Sequence, residues 1–292
     1  MTDTPDALLP QPDALERDLA ASLPQFSHVQ WVSSTTSTNA DLLEKARNPQ
    51  GAMARPWLLG AHLQQRGRGR AGRTWQNRAG ANLMFSCAFD VFLPAPLLPT
   101  LSPLTGLTAC LALRGLLMPG HRADLTMKWP NDLQWKFAKL AGILVETTRA
   151  GTARLSNDHY VVIIGIGLNL NDARALSLSL DRRIADWSEI RQADGQARRL
   201  PIAALVTSLA KAWYAELNQA TARQSFDGLP ERYAQVDALA GQHVNLLDNG
   251  QLLQAGIACG IDNRGQLLVR TVDGEIPVNV GEVSVRPRIP GP

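Results

Sequence analysis

Four arginines and three glycines are packed into the stretch Gln64-Gln65-Arg66-Gly67-Arg68-Gly69-Arg70-Ala71-Gly72-Arg73-Thr74-Trp75. Glycine lets a backbone pass close to a ligand and turn its N–H groups toward it, and arginine adds a forked, permanent positive charge. An anion is the natural guest of such a loop. A second concentration of chemistry lies downstream in Lys128-Trp129-Pro130-Asn131-Asp132 and Lys139-Leu140-Ala141-Gly142-Ile143-Leu144-Val145-Glu146. The chain has five lysines against 24 arginines, and three of the five (Lys128, Lys136 and Lys139) fall within twelve residues. That placement asks for a compact ammonium charge. Gly165-Ile166-Gly167-Leu168-Asn169 puts two glycines in an apolar run where another body can approach closely, and Ser37-Thr38-Asn39 offers hydroxyls and an amide at a helix start.

These groups need elements to hold them. His28 to Val32 reads as a strand, and Ser37 or Thr38 caps a helix carrying Leu42, Leu43 and Ala46 that stops at Asn48-Pro49-Gln50-Gly51. Trp57 to Gln64 is a buried strand that delivers the arginine loop, and Leu83 to Phe92 is the strand that leaves it. Gly67 to Gly72 also fits the dinucleotide pattern G-x-G-x-x-G, with Asp90 downstream as a ribose ligand. The segment after it, Thr74 to Asn82, has no helical apolar period, and a dinucleotide turn must open a helix. Leu104 to Leu117 is a packing helix, Thr126 to Lys128 and Lys139 to Glu146 are strands, and His159 to Asn171 is a long buried strand. A helix with one apolar face starts at Ile202, and another runs from about Pro230 to Leu239. From Gly241 the turns Asp248-Asn249-Gly250, Asp262-Asn263-Arg264-Gly265 and Asp273-Gly274 separate short strands, the texture of a small all-β domain. No catalytic grouping is visible there, so that domain is expected to serve a partner and not the chemistry.

With 292 residues, 45% of them hydrophobic, the chain can bury a large core. A net charge of +3 is too mild for a protein built to bind bulk DNA, and the excess belongs mostly to the arginine loop. Cys87, Cys110 and Cys259 are odd in number and far apart, which suggests neither a disulfide framework nor a zinc site. The N-terminus has no basic flank followed by an apolar run, and Leu97 to Leu117 is interrupted by prolines, so neither secretion nor a membrane span is expected. A cytoplasmic location is the expectation.

In order from Ser37 to Asn169, these stretches resemble biotin-protein ligase, also called biotin-[acetyl-CoA-carboxylase] ligase. The resemblance covers about residues 28 to 288. It implies an α+β fold: a mixed β-sheet with packing helices, like the catalytic domain of class II aminoacyl-tRNA synthetases, and a small SH3-like β-barrel. The divisions expected are an N-terminal tail (1–27), a biotin- and ATP-binding catalytic domain (28–240) and the C-terminal domain (241–292). The implied reaction joins biotin to ATP as biotinyl-5′-AMP and then passes biotin to one lysine of a biotin carboxyl carrier protein, with Mg²⁺ accompanying ATP. By resemblance, Ser37, Thr38, Asn39, Gln64, Gly67, Arg68, Gly69, Arg70, Lys139 and Gly142 contact biotin. Arg68, Arg70, Arg73, Trp75, Asn131, Lys139 and Asn169 contact ATP, with Trp75 flanking adenine and Asn169 reading its edge. Lys139, Arg68, Arg70 and Asp132 are the catalytic candidates, and Asp132 is also the candidate metal ligand.

Two departures stand out. Ala71 occupies a place where the family loop often has arginine, and the short tail before His28 leaves no room for the helix-turn-helix that bifunctional members carry. The expectation is therefore a ligase with no operator-binding module, with a homodimer compatible with the family. Two rival readings are a lipoate-protein ligase and a basic-loop nucleic-acid-binding module. The first lacks its Arg-Arg-x-x-Gly-Gly-Gly-x-Val motif here.

Overall fold

A computed structural model of the chain describes residues 9–48, 54–149, 156–248, 251–280 and 284–287. Its main layer is a seven-stranded sheet in the order β1-β2-β3-β7-β6-β5-β4. The strands are β1 (His28–Thr35), β2 (Trp57–Gln64), β3 (Asn82–Phe92), β4 (Leu125–Lys128), β5 (Asp132–Trp135), β6 (Ala138–Arg149) and β7 (His159–Asn169). β1 and β2 are parallel, joined through helix α2 (Thr38–Arg47), and every other pairing is antiparallel. The sheet is therefore mixed, as the fold class requires.

Side-chain alternation along β7 divides the molecule into two faces. Val162, Ile164, Ile166 and Leu168 enter the large core with Leu104 and Leu107 of α3 (Leu101–Arg114) and Leu205, Leu209 and Trp213 of α6 (Ile202–Arg223). The Trp213 indole donates to the Thr105 carbonyl at 3.0 Å, so even this apolar layer has its buried N–H satisfied. Helix α1 (Pro12–Ser22) adds Leu15 and Leu19 to the same core. The opposite face carries Val161, Ile163, Gly165, Gly167 and Asn169. Leu42, Leu43 and Ala46 of α2 cover its first part, and the glycines are left to the arginine loop.

Several expectations change in extent. β1 continues to Thr35 because Gln64 is its parallel partner there. The helix expected over 230–239 is the six-residue α7 (Leu229–Ala234). The chain beyond it lies along β4, where Met127 N–H donates to the Val236 carbonyl at 2.7 Å and Ala238 N–H to the Met127 carbonyl at 2.9 Å. Two helices carried no expectation: α4 (Ala173–Leu180) and α5 (Trp187–Ala193). Both are short, and a short amphipathic stretch shows too few repeats to reveal its period. Residues 49–51, expected to stop α2, lie outside the described residues, as do Asn249 and Gly250 of the first expected hairpin turn.

The C-terminal stretch forms a second sheet of five antiparallel strands in the order β11-β10-β9-β8-β12. They are β8 (His243–Asp248), β9 (Gln251–Ile261), β10 (Leu267–Thr271), β11 (Gly274–Val278) and β12 (Ser284–Pro287). The turn between β9 and β10 is docked on the main layer: the buried Trp129 indole donates to the Gly265 carbonyl at 2.9 Å and Thr100 Oγ1 to the Arg264 carbonyl at 2.7 Å.

Candidate active site

Register brings the sequence motifs onto one stripe of the sheet. Gly165 of β7 pairs with Ser86 of β3, Gly167 with Gly142 of β6, and Asn169 with Asn82. Residues two apart on a strand share a face, so Gly165, Gly167 and Asn169 form a floor from which side chains are missing where something must lie close. At Gly165 a β-carbon would sit 2.1 Å from Asn39 Oδ1. At Gly167 it would sit 2.4 Å from the Trp75 ring. Trp75 thus lies flat on the floor, also in contact with Gly142, and its indole N–H is buried with no partner among the described residues.

One end of the floor is a buried polar cluster. Ser37 caps α2, accepting from Ala40 N–H at 3.5 Å, and this fixes the backbone that turns Thr38 and Asn39 inward. Thr38 N–H donates to Gln64 Oε1 at 2.8 Å, Thr38 Oγ1 and Ser86 Oγ lie 2.6 Å apart, and Ser86 Oγ donates to Asn39 Oδ1 at 2.6 Å. Asn39 Nδ2 then donates to Glu146 Oε2 at 2.9 Å. Thr38, Asn39 and Ser86 are each at most 4% exposed. Donors and acceptors fixed this firmly in a dry place discriminate a ligand by its own polar pattern, because a mismatched ligand leaves them unpaired.

The other end is charged. Lys139 Nζ donates to Asp132 Oδ1 at 2.6 Å and stands 5.6 Å from the Trp75 ring centroid. Asn131 is locked by its Nδ2 donating to the Ile143 carbonyl at 2.6 Å, and its Oδ1 accepts from Arg70 Nη1 at 3.2 Å. Burial pulls the Arg70 guanidinium below its ordinary pKa; Asp132 opposes that shift and Arg73 adds to it. A partly buried arginine whose charge is only partly compensated is poised for an anion.

The loop itself is an irregular finger. Gly69 N–H donates to the Arg73 carbonyl at 2.7 Å and Trp75 N–H to the Gly67 carbonyl at 2.9 Å, with a turn at Arg70–Gly72 where Ala71 and Gly72 both take positive φ. Gly67 is required sterically, since a β-carbon would meet the Trp75 carbonyl at 2.7 Å. At its base the Asn77 side chain bonds both the N–H and the carbonyl of Gln64, each at 3.0 Å.

The structure gathers Thr38, Asn39 and Gln64 at one end and Lys139, Asp132, Asn131 and Arg70 at the other, with Trp75 and Gly142 between them. It does not bring Arg68 to Lys139. Arg68 Nη2 pairs with Glu146 Oε1 at 3.1 Å, four residues along β6 from Gly142, where the Lys139 ammonium lies, or about 13 Å at strand spacing. Asn169, expected to read adenine, is buried with its amide engaged: Nδ2 donates to the Ala185 carbonyl at 3.1 Å, and Oδ1 accepts from Asn82 Nδ2 at 3.1 Å. Ser86, Glu146 and Asn82 were not singled out from the sequence. Ser86 was signalled only by being a lone hydroxyl inside the apolar run of β3. Burial raises the Cys87 thiol well above its ordinary pKa and Cys110 to about 12, so neither offers a thiolate. No group of three or more His, Cys, Asp or Glu able to hold a metal occurs among the described residues.

Residues 31–169 match the biotin/lipoate A/B protein ligase family, and residues 240–286 match the biotin protein ligase C-terminal domain. A biotin--[acetyl-CoA-carboxylase] ligase of Mycobacterium tuberculosis is 31% identical over 293 residues, 97% of this chain and 98% of that protein. The bifunctional ligase/repressor BirA of Escherichia coli is 32% identical over 231 residues. That alignment takes in 77% of this chain and 65% of the longer relative. Among solved structures, the Aquifex aeolicus biotin protein ligase in complex with biotin and ATP superposes with a TM-score of 0.68 at 27% identity, covering 90% of this chain and all of that one.

Proposed function

The chain belongs to the biotin protein ligases, and from that membership we propose that it makes biotinyl-5′-AMP from biotin and ATP and transfers biotin to a lysine of a biotin carboxyl carrier protein. The observation that carries this reading is the glycine floor with a buried polar cluster at one end and a lysine-arginine pair at the other. Biotin has the matching shape: a ureido ring with donors and an acceptor, an apolar body, and a carboxylate at the far end of its chain. Thr38, Asn39 and Gln64 take the ring, Gly142, Gly165 and Gly167 with Trp75 take the body, and Lys139 with Arg70 takes the carboxylate.

Activation brings the biotin carboxylate against the α-phosphate. An oxygen–phosphorus bond forms, pyrophosphate leaves, and negative charge builds on the phosphoryl oxygens. Two anions must be held in contact, so fixed positive charge serves both positioning and the transition state. Asp132 aims the Lys139 ammonium and Asn131 aims Arg70. In the second step the acceptor lysine, as a free amine, attacks the carbonyl of the mixed anhydride and AMP leaves. Asp132 is the carboxylate placed to receive the amine's proton. Asp132 would hold the Mg²⁺ that accompanies ATP, where the ion would offset the charge of the phosphates. The carrier is inferred to be that of acetyl-CoA carboxylase, after the relatives' names.

The test is incubation of the purified chain with ATP, Mg²⁺ and labelled biotin. An acid-labile biotinyl adenylate and biotin-dependent pyrophosphate release are expected. Adenylate formed from lipoate in preference to biotin, or from neither, rejects the reading.

A further inference from the structure

Arg191 and Arg198 line an open cavity of about 460 Å³ together with Ser188 and Gln192, none of them a residue of the catalytic site. Helix α5 is followed by the single turn Ala197–Arg199, and the two segments are clasped by reciprocal bonds. Arg198 Nε donates to the Arg191 carbonyl at 3.1 Å and its Nη2 to the Gln192 carbonyl at 2.8 Å, while Arg191 Nη2 donates to the Arg198 carbonyl at 3.2 Å. Each guanidinium is thereby held against the segment that carries the other. The acids nearest in the chain are engaged elsewhere. Glu189 reaches Arg183 at 4.0 Å, and Asp186 accepts from Ser188 Oγ and from the N–H groups of Ala173 and Glu189. Asp194 accepts from the N–H groups of Met118, Gln196 and Ala197 and faces His121. Two like charges are thus fixed at one cavity with no carboxylate among the described residues to balance them, which costs free energy until an anion arrives.

We propose that this clasp is a second anion site, taking a phosphoryl group on the forks of Arg191 and Arg198. Guanidinium forks match the oxygens of carboxylate and phosphate alike, but two fixed positive charges call for an anion near −2, the charge a phosphate monoester approaches at neutral pH. The Gln192 amide is a further donor at the same cavity. The site lies on the stretch that backs Lys139: Ser188 N–H donates to the Leu170 carbonyl at 3.0 Å and Ala185 N–H to the Lys139 carbonyl at 2.9 Å. It stands independently of the biotin-ligase reading, which supplies only the nearest candidate guests, the pyrophosphate and AMP that the reaction releases.

The experiment follows the Arg191 Nε–H resonance of the full chain, assigned by its loss in Arg191→Lys, with neither biotin nor ATP present. That N–H is shielded from solvent and has no partner among the described residues, so its proton is observable and its surroundings are simple. At least one of inorganic phosphate, pyrophosphate and AMP is expected to shift it saturably, and the tightest of the three names the source of the phosphoryl group. Arg198→Gln should weaken that response about tenfold, the effect of one lost charge-assisted contact, and Arg198→Lys, which keeps the charge without the fork, should weaken it less. Lys139→Ala should respond as wild type does, which separates this site from the catalytic one. A resonance that none of the three moves, an equal response to chloride at matched ionic strength, loss of the response in Lys139→Ala, or a folded Arg198→Gln chain that titrates like wild type overturns the site. Failure to form biotinyl adenylate rejects the functional reading alone, because the titration contains no substrate of that reaction.

Discussion

At the scale of single residues the site depends on charge held still. Lys139 is aimed by Asp132 at 2.6 Å and backed by the Trp75 ring, so in the proposed reaction the ammonium would be in position before the phosphate charge develops. Lys139→Ala is expected to lower adenylate formation by about 10²- to 10³-fold, the cost of one lost electrostatic stabiliser, with biotin affinity falling less. Pyrophosphate release under saturating biotin measures it. Gly165→Ala tests the opposite end: its methyl would overlap Asn39 Oδ1, so the polar cluster must shift. Biotin Kd is expected to rise by about tenfold or more while the variant remains folded, measured by calorimetric titration. The residues of contiguous motifs, Lys139, Asn131, Asp132 and Arg70, were legible in the sequence because neighbours in the chain announce one another. Ser86 and Asn82 were not, since β-register alone makes Ser86 the neighbour of Gly165 and Asn82 the partner of Asn169. Arg68 was expected on a substrate anion; in this structure it pairs with the Glu146 carboxylate.

Elements were legible where their period repeats. The strands flanking the loop and the helix capped by Ser37 emerge close to their expected limits because alternation and capping leave several concordant signals. The region between β7 and α6 was opaque, and what organises it is a buried carboxylate. Asp194, its side chain fully buried, accepts from the N–H groups of Met118, Gln196 and Ala197 at 2.8 to 2.9 Å and faces His121 Nδ1 at 3.0 Å. Burial alone would raise its pKa, but these hydrogen bonds outweigh it and hold the carboxyl below the ordinary range. A carboxyl whose pKa is depressed by folding contributes stability above its unfolded value and loses it as pH falls through the folded one. Asp194→Asn is therefore expected to cost about 2 to 4 kcal/mol at neutral pH, a difference that begins to shrink below about pH 4, where the unfolded chain takes up the proton first. Urea unfolding of the two proteins at pH 7 and pH 3.5 checks both the size and the sign.

On the scale of the whole molecule, the C-terminal sheet was expected to stand apart from the chemistry. None of its described residues is among those gathered at the site, yet its β9–β10 turn grips Trp129, two residues from Asn131, and Thr100 at the start of α3. Gly265 makes this turn with φ of +72°, and a β-carbon there would lie 2.5 Å from Pro103 Cγ. Gly265→Ala should therefore lift the turn away, costing about 1 to 3 kcal/mol through strain and overlap together. A lowered Tm accompanied by weaker adenylate formation is the expected outcome; loss of carrier transfer alone would restore the original division between the two sheets.

The placement of Trp75 has an optical consequence. Of the seven tryptophans, the other six (Trp31, Trp57, Trp129, Trp135, Trp187 and Trp213) are buried away from solvent, while Trp75 is half exposed, lies on the glycine floor and has an indole N–H with no partner among the described residues. Any guest on that floor must lie alongside this ring or displace it and so change the polarity its excited state senses, whereas the six core indoles emit as before. Intrinsic emission should thus shift when biotin and ATP are added, and Trp75→Phe should silence the shift while leaving most of the emission intact. The molecule carries its own reporter at the place where the ligand arrives.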